Sequence, residues 1–305
     1  VIPKRPAFIW SPDYEANIGR HVFPTQKFRL LKEMLVKRGL IGEHEVLLAP
    51  PASDAELLTV LDPRYLADMR TYVHTPRTKH SELPINKSII ESMVVTAGGT
   101  LLGAREALRR GAACHLGGGY HHGFPDHAEG FCYINDVAVA VASLRREGLV
   151  NRVAIIDTDV HQGNGTAACF RKVPEVFTFS IHQEMLYPYD KETSSLDIGM
   201  EPQPGAKAYL DALQRGIDAA IIEHKPELVI HVAGVDVYKD DQLGSMGLDM
   251  QAIRWRDEKV AQAALERGIP LLTVVAGGYA RNTNDTVRLH AQTVEVTLET
   301  LRALE

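Results

Sequence analysis

The chain reads as α/β: a single domain, residues 1–305, with a central, mainly parallel sheet flanked by helices. Short apolar or β-branched runs recur along it with little alternation. Strands buried on both faces of a parallel sheet have that unbroken character. The stretches between them carry one apolar stripe each, as helices packed on a sheet do. No repeat, low-complexity tract or linker interrupts the alternation, which argues for one α/β unit.

In chain order, strands are expected at residues 7–10, 45–48, 112–116, 153–156, 176–180, 228–232 and 271–275. Leu210, Leu213, Ile217 and Ile221 recur at helical spacing, as do Val287, Val294, Leu298 and Leu301. Pro50-Pro51 and residues 117–130 and 197–205 are rich in Pro and Gly and read as loops.

Composition narrows the function classes. Hydrophobic residues make up 45% and charged residues 24% of the chain, which suits a packed globular protein and excludes disorder as its main state. With 33 Lys+Arg against 39 Asp+Glu the net charge is −6, which argues against a partner bound by neutralising phosphates, so no direct nucleic-acid binding is expected. Cys114, Cys132 and Cys169 form no CxxC pair and fit a reducing, cytoplasmic setting better than a disulfide framework. No apolar run approaches the roughly 20 residues of a membrane span. Val1-Ile-Pro-Lys-Arg5 leads into no apolar segment, so no signal peptide is read there. The 13 histidines are the informative surplus beside so few cysteines.

In open α/β sheets ligands bind beyond the carboxyl ends of strands, and four such ends carry reactive side chains. Cys114-His-Leu-Gly-Gly-Gly-Tyr-His-His-Gly123 runs from a strand through three glycines into His121-His122. On an irregular loop, adjacent histidines can face one cavity; a solvent-exposed loop is the plain alternative. Asp157, Asp159 and His161 stand at i, i+2 and i+4, which in extended geometry projects them to one side. Acids crowded at the end of an apolar strand call for a cation, and a divalent metal with N/O ligands supplies it. The plain alternative there is a polar strand end with capping aspartates.

Asp236 follows the apolar strand at 228–232 and is a candidate third ligand, although Asp near Gly is common in turns. Gly277-Gly278 would lift Tyr279 above the sheet. Gly163-Asn-Gly165-Thr-Ala-Ala168 matches a dinucleotide-binding fingerprint, but with carboxylates beside it and several residues past the strand it reads as a tight turn into a helix. A G-x-S-x-G nucleophile elbow and a His-Glu-x-x-His zinc motif are both absent.

Together these residues resemble the zinc-dependent histone deacetylase family, which has the arginase/deacetylase-like α/β fold. Gly117-Gly-Gly-Tyr-His-His122, Gly130-Phe-Cys-Tyr133, Asp157-Thr-Asp-Val-His-Gln-Gly-Asn164 and Gly277-Gly-Tyr279 occur in the family's order. The resemblance covers most of the chain and is densest from Thr96 to Ala291. It implies removal of an acetyl or longer fatty acyl group from an acylated lysine side chain of a protein or peptide, or from a small N-acyl amine.

By position, the resemblance makes Asp159, His161 and Asp236 the ligands of one Zn²⁺ per active site. His122 becomes general base and acid, and His121 its electrostatic partner. Asp157 would hold His121, Asn164 would orient His122, and Tyr279 would donate to the oxyanion. Phe131 would wall a narrow acyl-lysine channel, and the Gly130 carbonyl would accept from the scissile amide. A structural potassium ion is implied near Asp157, Asp159, His161, Ser180 and Ile181.

Gln162 and Asn164 stand where many relatives have His and Asp, which favours a class IV-like assignment. A neutral Asn164 stabilises a charged His122 less than a carboxylate would, so a less basic His122 is expected. Two other readings differ in chemistry. An arginase-like ureohydrolase would need acids for a second metal, and Val237 and Tyr238 follow Asp236 instead. A non-catalytic acyl-lysine binding module would have no need of the paired histidines and Tyr279.

Overall fold

The structure is a computed structural model that describes residues 5–304. The leader-free reading of the first residues therefore lies largely outside it. Eight strands are described: β1 (Ala7–Trp10), β2 (Val46–Leu48), β3 (Ala112–His115), β4 (Val153–Asp157), β5 (Val176–Gln183), β6 (Leu196–Met200), β7 (Leu228–Val232) and β8 (Leu271–Val274). The helices between and after them are α1 (Lys27–Lys37), α2 (Asp54–Leu57), α3 (Pro63–Arg70), α4 (Lys87–Arg110), α5 (Asp136–Arg146), α6 (Asn164–Phe170), α7 (Ala206–Ile217), α8 (Met250–Leu265) and α9 (Thr283–Arg302).

The strands form one sheet in the order β2-β1-β3-β8-β7-β4-β5-β6, and every neighbouring pair is parallel. Every residue of β3, β4, β7 and β8 is buried, as their unbroken apolar runs predict. Helices cover both faces. His115 of β3 bonds Thr100 of α4, whereas the adjacent Cys114 is directed at Thr297 of α9. Val287, Val294, Leu298 and Leu301 on α9 are all buried, as their spacing implies. On α7, Leu213 and Ile217 are buried, and the helix then widens into a π-helical stretch, Asp218–Glu223, that brings Ile221 inward.

Residues 197–205 are not loop throughout. β6 occupies Leu196–Met200 at the sheet edge, paired to β5. Its residues are half-buried or exposed, so an Asp and a Gly are tolerated where a central strand would exclude them. β5 also runs three residues beyond the expected end at Ser180, which moves its exit loop downstream.

The strand order sets up the site. β3, β8, β7 and β4 are consecutive neighbours in the middle of the sheet although they lie far apart in sequence. These are the four strands whose ends carry the reactive side chains.

Candidate functional site

The loop after β3 is fixed from beneath. Asp136, in the first turn of α5, accepts from the backbone N–H groups of Gly119 (3.0 Å) and Tyr120 (2.7 Å) and from the Thr100 hydroxyl (2.5 Å). The chain then turns so that the His121 and His122 rings lie 4.1 Å apart, both facing one cavity. Gly163-Asn-Gly165 is a turn into α6, and at Gly165 the backbone of His122 and Gly123 leaves no room for a side chain.

Asp159 and His161 do not continue the strand. β4 ends at Asp157, and the chain curls so that Asp159 N–H bonds Asp157 Oδ1 (3.1 Å) and His161 N–H bonds Asp159 Oδ1 (3.0 Å). Asp157 therefore parts from Asp159 and His161, whose Oδ1 and Nδ1 stay 3.1 Å apart. Asp157 turns to His121, with Oδ2 2.6 Å from Nδ1. Asp159 and His161 meet Asp236, which arrives from the end of β7.

One ligand atom from each of Asp159, His161 and Asp236 lies within 4.8 Å of the others, and all three residues are buried. Asp236 Oδ1 accepts from Val160 N–H at 2.9 Å, while its buried Oδ2 has no hydrogen-bond partner and lies 3.3 Å from His161 Nδ1. A side chain on Gly277 would collide with the carboxylates of Asp159 and Asp236, so glycine lets the β8 loop close over them. Two oxygens and an imidazole nitrogen, one oxygen orphaned, fit a divalent ion that keeps an open coordination position.

Burial and charge set the protonation states. Burial works against a charged His121, but Asp157 and Asp159 outweigh it and hold its pKa up at about 9. His161 is held up at about 10, its contacts with Asp159 and Asp236 again outweighing burial. Burial and then the facing Asp159 push Asp236 up to about 7. His122 goes the other way: burial, then the charges of His121 and His161, hold it well below the usual imidazole value. One histidine of the pair is charged and the other neutral.

His122 Nδ1 lies 2.7 Å from Asn164 Oδ1, the pairing expected of those two residues. The cavity that His122 borders measures about 250 Å³, and Phe131, Gly130, Tyr279, Asp159 and His161 also line it. Phe131 sits at φ +65° and stacks at 6.3 Å on Phe23, forming a wall. The Gly130 carbonyl accepts from the Cys132 thiol at 3.2 Å and keeps a second lone pair. Tyr279 is buried, and burial followed by Asp159 and Asp236 raises its phenol well above the usual value, so it stays protonated and able to donate. Ser180 and Ile181 lie on β5, Ser180 in register with Asp157, and the Ser180 hydroxyl pairs with His182 Nδ1 at 2.9 Å.

Several cavity residues escaped the sequence reading. Tyr187 stands edge-on to His122 with ring centroids 5.2 Å apart, and it belongs to the exit loop that the longer β5 displaces. Glu82 and Leu243 border the same space. Lys27 is fully buried, donates to the Ala276 carbonyl at 2.6 Å and lies 5.6 Å over the Tyr279 ring; burial lowers its pKa to about 8. Its position on α1, away from the four strand ends that carry reactive side chains, gave no signal.

Comparisons with known proteins agree with this geometry. Residues 21–295 match the family profile described as histone deacetylase domain. An uncharacterized protein of Picosynechococcus sp. is 36% identical over 93% of this chain and 95% of its own length. Histone deacetylase-like amidohydrolase of Pseudomonas aeruginosa is 30% identical, over 87% of this chain and 74% of its own. The crystal structure of a histone deacetylase homologue from Aquifex aeolicus superposes with a TM-score of 0.81, covering 96% of this chain and 84% of that one at 23% identity. A histone deacetylase homologue complexed with SAHA gives 0.83 at 22% identity over the same shares, and these two likenesses speak to the fold.

Proposed function

The chain belongs to the histone deacetylase family and is a hydrolase acting on amide bonds; on that premise we propose that it is a zinc-dependent, class IV-like lysine deacylase. Its substrate in this reading is an acetylated or longer-acylated lysine side chain, or a small N-acyl amine. One observation carries the proposal. Asp159 and His161, which form a buried triad with Asp236, line one cavity with a neutral histidine, His122, and a protonated phenol, Tyr279, and these groups come from the ends of four neighbouring strands. The 305 residues act in this reading as one catalytic domain in the cytoplasm.

Asp159, His161 and Asp236 would hold the ion, which when bound supplies Lewis acidity toward an acyl carbonyl and water. His122 is neutral, and with Nδ1 committed to Asn164 its Nε2 is free to take a proton from attacking water and return it to the leaving amine. His121, held charged by Asp157, places positive charge beside the developing negative charge. Tyr279 donates its hydroxyl to the oxyanion. The Gly130 carbonyl accepts from the scissile amide N–H, and Phe131 guides the alkyl chain. A structural potassium ion near Asp157, Asp159, His161, Ser180 and Ile181 belongs to the same reading.

Turnover of acetyl-lysine and myristoyl-lysine peptides, with and without chelator, tests it. Hydrolysis that chelator removes and zinc restores is expected, with about one divalent ion per chain by elemental analysis. Chelator-resistant turnover would sink the scheme, peptide binding without turnover would point to a binding module, and two ions per chain to an arginase-like site.

The base has a signed pH prediction. Asn164→Asp places a carboxylate on His122 and favours its charged form, so the acidic limb of kcat/KM should move to higher pH. Glu129 would face the new carboxylate, since its Oε1 lies 2.9 Å from Asn164 Nδ2. The shift should therefore be fullest with Glu129→Gln, which prevents the two acids from sharing a proton. An unchanged profile in the double variant would count against His122 as the base.

A further inference from the structure

We propose that Glu129 is a positioning residue for His122, acting through Asn164 to fix the imidazole tautomer and to place a negative charge two hydrogen bonds behind the ring. The inference rests on the reading of His122 as the base. It begins with the orientation of the Asn164 amide. Gly165 N–H, which can only donate, lies 3.0 Å from the Asn164 atom that also faces His122 Nδ1, so that atom is the amide oxygen. His122 Nδ1 must then carry the proton, and Nε2 is left with a free lone pair. The opposite side of the amide is its NH₂ group, which donates to Glu129 Oε1 at 2.9 Å. With the amide flipped, NH₂ would face Gly165 N–H and oxygen would face the Glu129 carboxylate, so both contacts oppose that arrangement.

Glu129 is itself held. Its N–H bonds the Cys132 carbonyl (3.0 Å) and its carbonyl accepts from Cys132 N–H (2.8 Å), a tight turn that also presents Gly130 and Phe131 to the cavity. The Tyr187 hydroxyl donates to the same Oε1 at 2.9 Å, and His127 Nε2 lies 3.4 Å from Oε2. Contacts with His127, Tyr187 and Asn164 outweigh partial burial and keep the carboxyl below its usual range, so Glu129 is charged at neutral pH. The two histidines thus differ by one link. His121 meets the carboxylate of Asp157 directly at 2.6 Å, whereas His122 meets a carboxylate through an intervening amide. That arrangement orients the base without charging it.

A rival role for Glu129 is to brace Tyr187 as a channel wall, which would act on substrate binding. The test separates the two. Turnover of an acyl-lysine peptide is measured for wild type, Glu129→Gln, Glu129→Ala, Asn164→Ala and the Glu129→Ala/Asn164→Ala pair. Loss of an outer partner of a metal-ligating histidine typically costs about 10- to 100-fold, and the same range is expected for a histidine base held in the same way. Glu129→Ala should lower kcat within that range and leave KM within about twofold. Glu129→Gln, which keeps an acceptor and loses the charge, should fall between wild type and Glu129→Ala. The double variant should be no worse than about threefold below Asn164→Ala alone, because the two act in series.

A raised KM with unchanged kcat, or multiplicative losses in the double variant, would overturn the proposal. A second readout does not need turnover. Two-bond ¹H–¹⁵N spectra of the imidazoles should show His122 as the Nδ1–H tautomer in wild type and, with Gly165 N–H alone left to orient the amide, a measurable fraction of the other tautomer in Glu129→Ala. The same tautomer in both would overturn the proposal as well. If wild type shows the Nδ1–H tautomer but hydrolyses no acyl-lysine, the deacylase reading fails while this contact is still tested on its own terms.

Discussion

Replacing His161 with alanine is expected to abolish both metal retention and activity. His161 supplies the nitrogen of the buried triad, and its removal leaves Asp159 and Asp236 facing each other. A site of two carboxylates with one oxygen already unpartnered offers an ion little beyond charge, and dialysed protein should fall from about one divalent ion per chain to nearly none. Losing several kcal/mol of Lewis-acid stabilisation corresponds to about 10³-fold or more in kcat/KM.

The ion-free chain adds an independent check on this site. With His161 raised by its carboxylate neighbours and Asp236 raised by burial and Asp159, the triad retains protons at neutral pH. Binding a divalent ion must displace them. Calorimetry in buffers of differing ionisation enthalpy should report proton release from wild type and much less from His161→Ala. Thermal unfolding of both proteins without metal guards against simple misfolding. A His161→Ala protein that folds, binds no metal and keeps full turnover would refute the metal-dependent scheme.

Much of this arrangement was legible in the chain, for identifiable reasons. Strands buried on both faces must be apolar throughout, so β3, β4, β7 and β8 stood out, while β6, half-exposed at the edge, did not. Glycine-rich turns after strands marked where His121, His122 and Tyr279 would emerge. Local spacing misled at Asp157, because the strand stops there and the following backbone hydrogen-bonds to Asp157 and Asp159. What single stretches could not give was adjacency. The order β3-β8-β7-β4 brings Asp236 to His161, and long-range pairs such as Asn164–Glu129 and Lys27–Ala276 join residues that share no local pattern.

Tyr279→Phe should cost catalysis while sparing the rest of the site. The backbone of Tyr279 is anchored by its N–H donating to Asp241 Oδ2 at 2.7 Å, a bond the substitution leaves intact. The aromatic ring keeps its edge contacts with Phe131 at 6.1 Å and Phe23 at 6.3 Å and stays under Lys27. Only the hydroxyl is removed, and its raised pKa means that the group lost is a donor at every working pH. An oxyanion donor acts where charge develops in the transition state rather than on the bound substrate. Its loss should therefore appear as a fall of about 10²–10³ in kcat with little change in KM. Metal content and thermal stability should match wild type, which separates this variant from His161→Ala. A kcat within about threefold of wild type, or a loss carried entirely by KM, would move Tyr279 from the reacting atoms to the channel wall, where Phe131 already stands.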